Sequence, residues 1–133
     1  MQHTYQRRVH FADTDAAGVV HFSTILCYAE EAEHDLLARL DIPLLKDGGW
    51  PRVSVHCDYL APLKVMDLVD VSLSIERVGE SSLTWAFTIN AGDKQLAVGT
   101  MTSVRVGREG KVESISPSWR ESLTDYELSK ESS

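Results

Sequence analysis

The chain has 133 residues, 43% of them hydrophobic and 25% charged, and a net charge of -7. That is enough apolar material for one domain to bury its own core. An acidic chain without any lysine or arginine block does not suit a general nucleic-acid surface, because phosphate binding draws its affinity from clustered cations. No apolar run approaches the roughly 20 residues that cross a bilayer, and the segment from Met1 to Arg8 has no hydrophobic signal core. Membrane insertion is therefore not expected, and a cytoplasmic protein is the default. Cys27 and Cys57 read as buried small hydrophobes rather than a disulfide framework.

Tyr5 to Phe11 carries Val9 and Phe11 in alternation and stops at an acidic segment, which predicts a strand. After the acidic loop, Ile25, Ala29, Ala32, Leu36 and Leu40 recur at three- and four-residue steps. That spacing predicts a helix of about five turns over 23–40, with Ser23 as N-cap and Pro43 beyond its end. The polar positions Glu30, Glu31, Glu33, His34 and Asp35 are expected to face solvent or a second subunit. A glycine-proline loop over 46–51 leads to a strand with Val53, Val55, Cys57 and Tyr59 on one face, closed by Pro62.

From Asp67 to Val78 the apolar residues Val69, Val71, Leu73 and Ile75 alternate with polar ones, and Leu83, Trp85, Phe87 and Ile89 do the same after a turn at Gly79-Glu80-Ser81. A second turn at Ala91-Gly92-Asp93-Lys94 opens a third run, Gln95 to Val106, and the three form an antiparallel meander. A turn over 107–110, a short strand around Val112 and a helix from about Pro117 to Tyr126 complete a single domain over 1–128, with 129–133 a disordered tail. One long helix followed by strands on tight turns describes an α+β fold, a curved antiparallel sheet wrapped around that helix.

The chemistry gathers in Phe11-Ala12-Asp13-Thr14-Asp15-Ala16-Ala17-Gly18-Val19-Val20-His21-Phe22. Asp13 and Asp15 lie two apart and need not share a task. By local chemistry alone both are turn or cap residues. Gly18, just ahead of a helix start, lets backbone N–H groups approach a substrate closely, and a carboxylate beside free N–H groups is what attack on a carbonyl requires. His21 adjoins the helix start, a place from which to touch substrate or relay a proton, yet reads more readily as a surface or pocket histidine than as a catalytic one. His10, His34 and His56 show no metal-ligand spacing, and no Gly-x-Ser-x-Gly occurs, so neither a metal, a cofactor nor a serine hydrolase mechanism is expected.

The stretch from Phe11 to Val20 resembles the signature loop of the 4-hydroxybenzoyl-CoA thioesterase-like branch of hot-dog-fold acyl-CoA thioesterases. Asp58-Tyr59-Leu60-Ala61-Pro62-Leu63 resembles that family's strand ending in a Pro-Leu pair, Asp67 its next opening acid, and Gly79 with Ser81-Ser82 its turn. The loop and the Asp58 to Leu63 run are also similar to 1,4-dihydroxy-2-naphthoyl-CoA hydrolases, while short-chain and aromatic acyl-CoA enzymes share much of the pattern. The resemblance implies a homodimer with sheets joined edge to edge, often a homotetramer, active sites between subunits and an acyl-CoA substrate. By the same match Asp15 is the catalytic carboxylate, as nucleophile or general base, and the Phe22 backbone N–H near Gly18 polarises the thioester carbonyl. Asp13 then orders the loop.

Glu30 falls where relatives have an acid facing the acyl pocket, though a solvated helix carboxylate fits equally. Ser81 and Ser82 fall where relatives approach coenzyme A, and Lys64, Arg77, Arg105 and Arg108 are candidates for its phosphates. His21 departs from the aromatic residue common in relatives, and Met66 replaces a small one. The competing reading is a non-catalytic hot-dog module that binds acyl-CoA or an acyl carrier protein. Retention of Asp15 stands against it, and a hydratase would need a differently placed histidine and acid.

Overall fold

The computed structural model describes residues 3–131, with side chains as far as Glu127. Its long helix, α1 (Phe22–Arg39), is capped by His21, whose Nδ1 accepts the Ser23 N–H at 3.3 Å. Ser23, the expected cap, therefore sits inside the first turn. At the other end Asp41 takes a left-handed φ of 57°, the Asp41 N–H donates to Ala38 and the Ile42 N–H to Leu37 at 2.9 Å. Those two bonds satisfy otherwise orphaned carbonyls, and the buried Leu37 and Ile42 close the apolar contact that goes with such a stop.

Five strands form one antiparallel sheet in the order β1 (Thr4–Arg8), β4 (Leu68–Val78), β5 (Ser82–Ala91), β6 (Lys94–Val104), β3 (Arg52–Tyr59). The predicted alternation holds in β4 and β5, where Val71 faces Ile89, Leu73 faces Phe87 and Ile75 faces Trp85, all buried. Together with Ile25, Tyr28, Ala29, Ala32, Leu36 and Leu37 of α1 they make the core. A second helix, α2 (Pro117–Glu131), adds Leu123 and Tyr126, the latter donating its hydroxyl to the Leu73 carbonyl at 2.6 Å. This is the hot-dog arrangement, a curved sheet with a helix against it. No helix among the described residues is long and apolar enough to cross a membrane.

Several elements differ from the sequence reading. β1 stops at Arg8, and Phe11 opens a 3-10 turn, Phe11–Asp13, with its ring in solvent. β6 ends at Val104, and a two-residue ribbon pairs β2 (Gly48–Gly49) with β7 (Val106–Gly107), while Val112 makes only an isolated bridge to Val106. α2 runs to Glu131, so residues 129–131 of the expected tail fall in its last turn, and Ser132 and Ser133 lie outside the described residues. Cys27 is exposed rather than buried, and Cys57 is half-buried. Glu33 is buried, not solvated, because Arg52 Nη2 reaches its carboxylate at 3.0 Å.

Candidate active site

The acidic loop is closed by its own backbone. Thr14 and Val20 face each other as an antiparallel bridge, and the Asp15 N–H donates to the Val19 carbonyl at 2.8 Å. Inside that bridge the Gly18 N–H donates to the Asp15 carbonyl at 3.0 Å and the Ala17 N–H to Asp15 Oδ1 at 2.8 Å. Asp15 thus shapes its own turn, as aspartate does when its side chain bonds two residues ahead. Gly18 completes the turn with a φ of 79°, where any Cβ would cost about 1–2 kcal/mol. The Val20 N–H to Leu63 carbonyl bond and the Val19–Lys64 bridge fasten the loop to the segment beyond β3.

The two carboxylates part company in their partners. Asp13 Oδ2 accepts the His10 N–H at 3.0 Å and the Tyr28 hydroxyl at 2.8 Å, with Arg7 Nη1 at 3.3 Å. Burial disfavours its charge, but those three donors outweigh it and hold the carboxyl below its ordinary value. The Asp15 carboxylate is exposed, and the Ala17 N–H is its only bonding partner among the described residues.

At the helix start, the Thr24 and Ile25 N–H groups both reach the His21 carbonyl, and the Ser23 N–H reaches the His21 ring. The Phe22 N–H has no partner among the described residues, so it is free to bond an oxyanion. Because a backbone N–H can only donate, His21 Nδ1 is the acceptor in that cap bond. Beside the helix start, Val20, Phe22, Ile25, Tyr59, Leu60 and Pro62 line a cavity of about 320 Å³. Sequence reasoning did not single out Tyr59 for this site. Its hydroxyl donates to the Phe22 carbonyl at 3.1 Å and its ring meets the Phe22 ring edge-on.

Of the remaining candidates, Lys64 is exposed beside the loop. Arg77, Ser81 and Ser82 lie at the far end of β4 and its hairpin, about 33 Å of strand from Leu68 next to the loop. One protomer therefore does not bring them to Asp15. Glu30 sits eight residues into α1, about 12 Å along it from Phe22, and is 3.4 Å from Arg52 Nη2. Arg105, a candidate for the coenzyme A phosphates, is not at the surface. Only 1% exposed, it pairs with Glu113 at 3.2 Å, donates to the Lys46, Asp47 and Gly49 carbonyls, and stacks against Trp119 and Trp50. The signal was present in its parity, since Met101, Ser103 and Arg105 share the buried face. Arg108 is exposed but held by Asp47.

Residues 17–98 match the family model of the thioesterase superfamily. A 1,4-dihydroxy-2-naphthoyl-CoA hydrolase of Thermosynechococcus vestitus is 37% identical over 100 residues, covering 71% of this chain and 68% of the relative. Among solved structures, a 1,4-dihydroxy-2-naphthoyl-CoA thioesterase from Synechocystis superposes with a TM-score of 0.85 at 27% identity, over 94% of this chain and 97% of the other. A gentisyl-coenzyme A thioesterase gives 0.84 at 30% identity, over 90% and 98%.

Proposed function

We propose, from the premise that the chain belongs to the thioesterase superfamily and is an acyl-CoA thioester hydrolase, that its acyl group is aromatic or short and that Asp15 carries the reaction. The naphthoyl-CoA and gentisyl-CoA names of the relatives favour an aromatic acyl group. The family match opens two residues after Asp15, so the role of that side chain rests on geometry and on the loop's resemblance. The observation that carries it is the exposed Asp15 carboxylate, set in a closed turn that leads into a helix whose first N–H is unspent and which borders an apolar cavity.

Two routes fit these groups. The carboxylate attacks the thioester carbon, expels CoA thiolate and leaves a mixed anhydride that water hydrolyses. Alternatively it takes a proton from a water that attacks the same carbon. Either route places negative charge on the carbonyl oxygen, for which the Phe22 N–H is the donor at hand, a contact of the type worth about 3 kcal/mol. Gly18 contributes by permitting the turn, and His21, its Nδ1 taken up by the helix cap, has Nε2 left for contact with substrate.

Active sites shared between two copies would resolve the separation of Lys64 from Arg77, Ser81 and Ser82, since a partner's hairpin can reach where the chain's own cannot. We assign those four residues to coenzyme A on that basis, with Glu30 lining the acyl end, in a cytoplasmic homodimer or homotetramer of one domain per chain. The test is Asp15→Asn assayed by thiol release on aliphatic, benzoyl, phenylacetyl and 1,4-dihydroxy-2-naphthoyl CoA esters. Hydrolysis of the preferred ester should fall at least about 1,000-fold with the circular dichroism spectrum and oligomeric state unchanged. Wild-type turnover in the variant removes Asp15 from the reaction.

A further inference from the structure

A reaction that uses both Asp15 and the Phe22 N–H needs a loop and a helix held at a fixed separation. The side chain that ties the acidic loop to the body of α1 is Tyr28. Its ring is fully buried, and its hydroxyl donates to Asp13 Oδ2 at 2.8 Å, two residues before Asp15 and about 9 Å along the helix from Phe22. Arg7 reaches the same oxygen at 3.3 Å from β1, while its Nε donates to Glu31 Oε1 at 2.9 Å. That glutamate oxygen also accepts the Tyr5 hydroxyl at 3.0 Å, and the Arg7 guanidinium stacks 4.7 Å above the Tyr28 ring. Strand, loop and helix are closed into one ring of charge-assisted bonds. A buried phenol with a single acceptor has no second partner to turn to, so the bond resists small displacements of the loop.

We propose that Tyr28 and Arg7 are positioning residues: by clamping the Asp13 carboxylate they fix where Asp15 stands relative to the Phe22 N–H. The proposal rests on the reading of Asp15 as the reacting carboxylate. Neither residue touches substrate, and the clamp acts on the chemical step rather than on binding.

Tyr28→Phe keeps the buried ring and deletes one bond. With 1,4-dihydroxy-2-naphthoyl-CoA and benzoyl-CoA as probes, kcat should fall roughly 10- to 100-fold, the scale on which small misplacements act, with KM little changed. Thr84→Val is the stability control: it breaks the 2.9 Å hydroxyl contact with Thr102 between β5 and β6 and should leave kcat at the wild-type value. Asp13→Asn added to Tyr28→Phe should lose little more than either change alone, because both cut one link. If Tyr28→Phe does not fold, Arg7→Gln opens the clamp from β1 and is read on the same kcat. Wild-type kcat in the folded variant, or an equal loss in Thr84→Val, overturns the clamp. Asp15→Asn run alongside separates the two failures: turnover surviving there removes the parent reading, whereas turnover lost there and kept in Tyr28→Phe removes the clamp alone.

Discussion

Met66 holds a φ of 74° in the turn that fastens the acidic loop to β4. Its N–H donates to the Val9 carbonyl at 2.8 Å and its carbonyl accepts Arg8 Nη1 at 2.9 Å, so the backbone is committed to a conformation that a side chain with a Cβ resists. The side chain itself is 65% exposed and gives little packing in return. Met66→Gly should raise stability by about 0.5–1 kcal/mol, the relief of a left-handed Cβ less the greater freedom of the unfolded glycine chain. A chemical-denaturation midpoint moving the other way would count against strain at this turn. At this scale the sequence was informative where a residue's task is local. The turn chemistry of Asp15 and Gly18 can be read from neighbours, but what separates Asp13 from Asp15 is Arg7 and Tyr28, whose approach only the fold brings about.

The elements that bury a face were legible because burial imposes a period: α1, β4 and β5 all appear in the three-to-four and two-residue spacings of their apolar residues. The β2–β7 ribbon was not, since three of its four residues are glycine and carry no side-chain pattern. The start of α1 was misread by the cap, because histidine is not among the usual capping residues and acts here through a ring nitrogen. The seam of β1 with α1 and β4 has a pH signature. His3, with its side chain 3.0 Å from Asp35, has its pKa lowered from 6.5 chiefly by burial, with Asp35 opposing. A histidine depressed in the folded state binds protons more readily when unfolded, so its contribution is intact above pH 6.5 and is lost as pH falls toward the folded value. Unfolding free energy measured from pH 8 to pH 5 should therefore fall below pH 6.5, and His3→Gln should flatten that limb. An unchanged slope in the variant assigns the fall to other groups.

At the scale of the whole molecule, β3 is an edge that a single copy leaves unfinished. It pairs with β6 on one side only and forms an edge of the sheet, so a row of its backbone N–H and C=O groups is open to another strand. The strand's alternation was plain in the sequence as one apolar face, and on it Val53 is 61%, Val55 42% and Tyr59 44% exposed. An apolar pattern left in solvent along an unpaired edge suits the second copy proposed above, with backbone pairing supplying register and the valines supplying burial. Tyr59, which ends this strand, also holds the Phe22 carbonyl and lines the cavity at the helix start, so pairing at β3 would set its far wall. Val53→Lys combined with Val55→Lys places two charges on that edge without touching the Asp15 loop. Light scattering should then report a monomer with native helix and sheet content, and thioester hydrolysis should drop in parallel with the dimer fraction. A monomeric variant with full activity would confine the reaction centre to one chain, and a persistent dimer would move the interface away from β3.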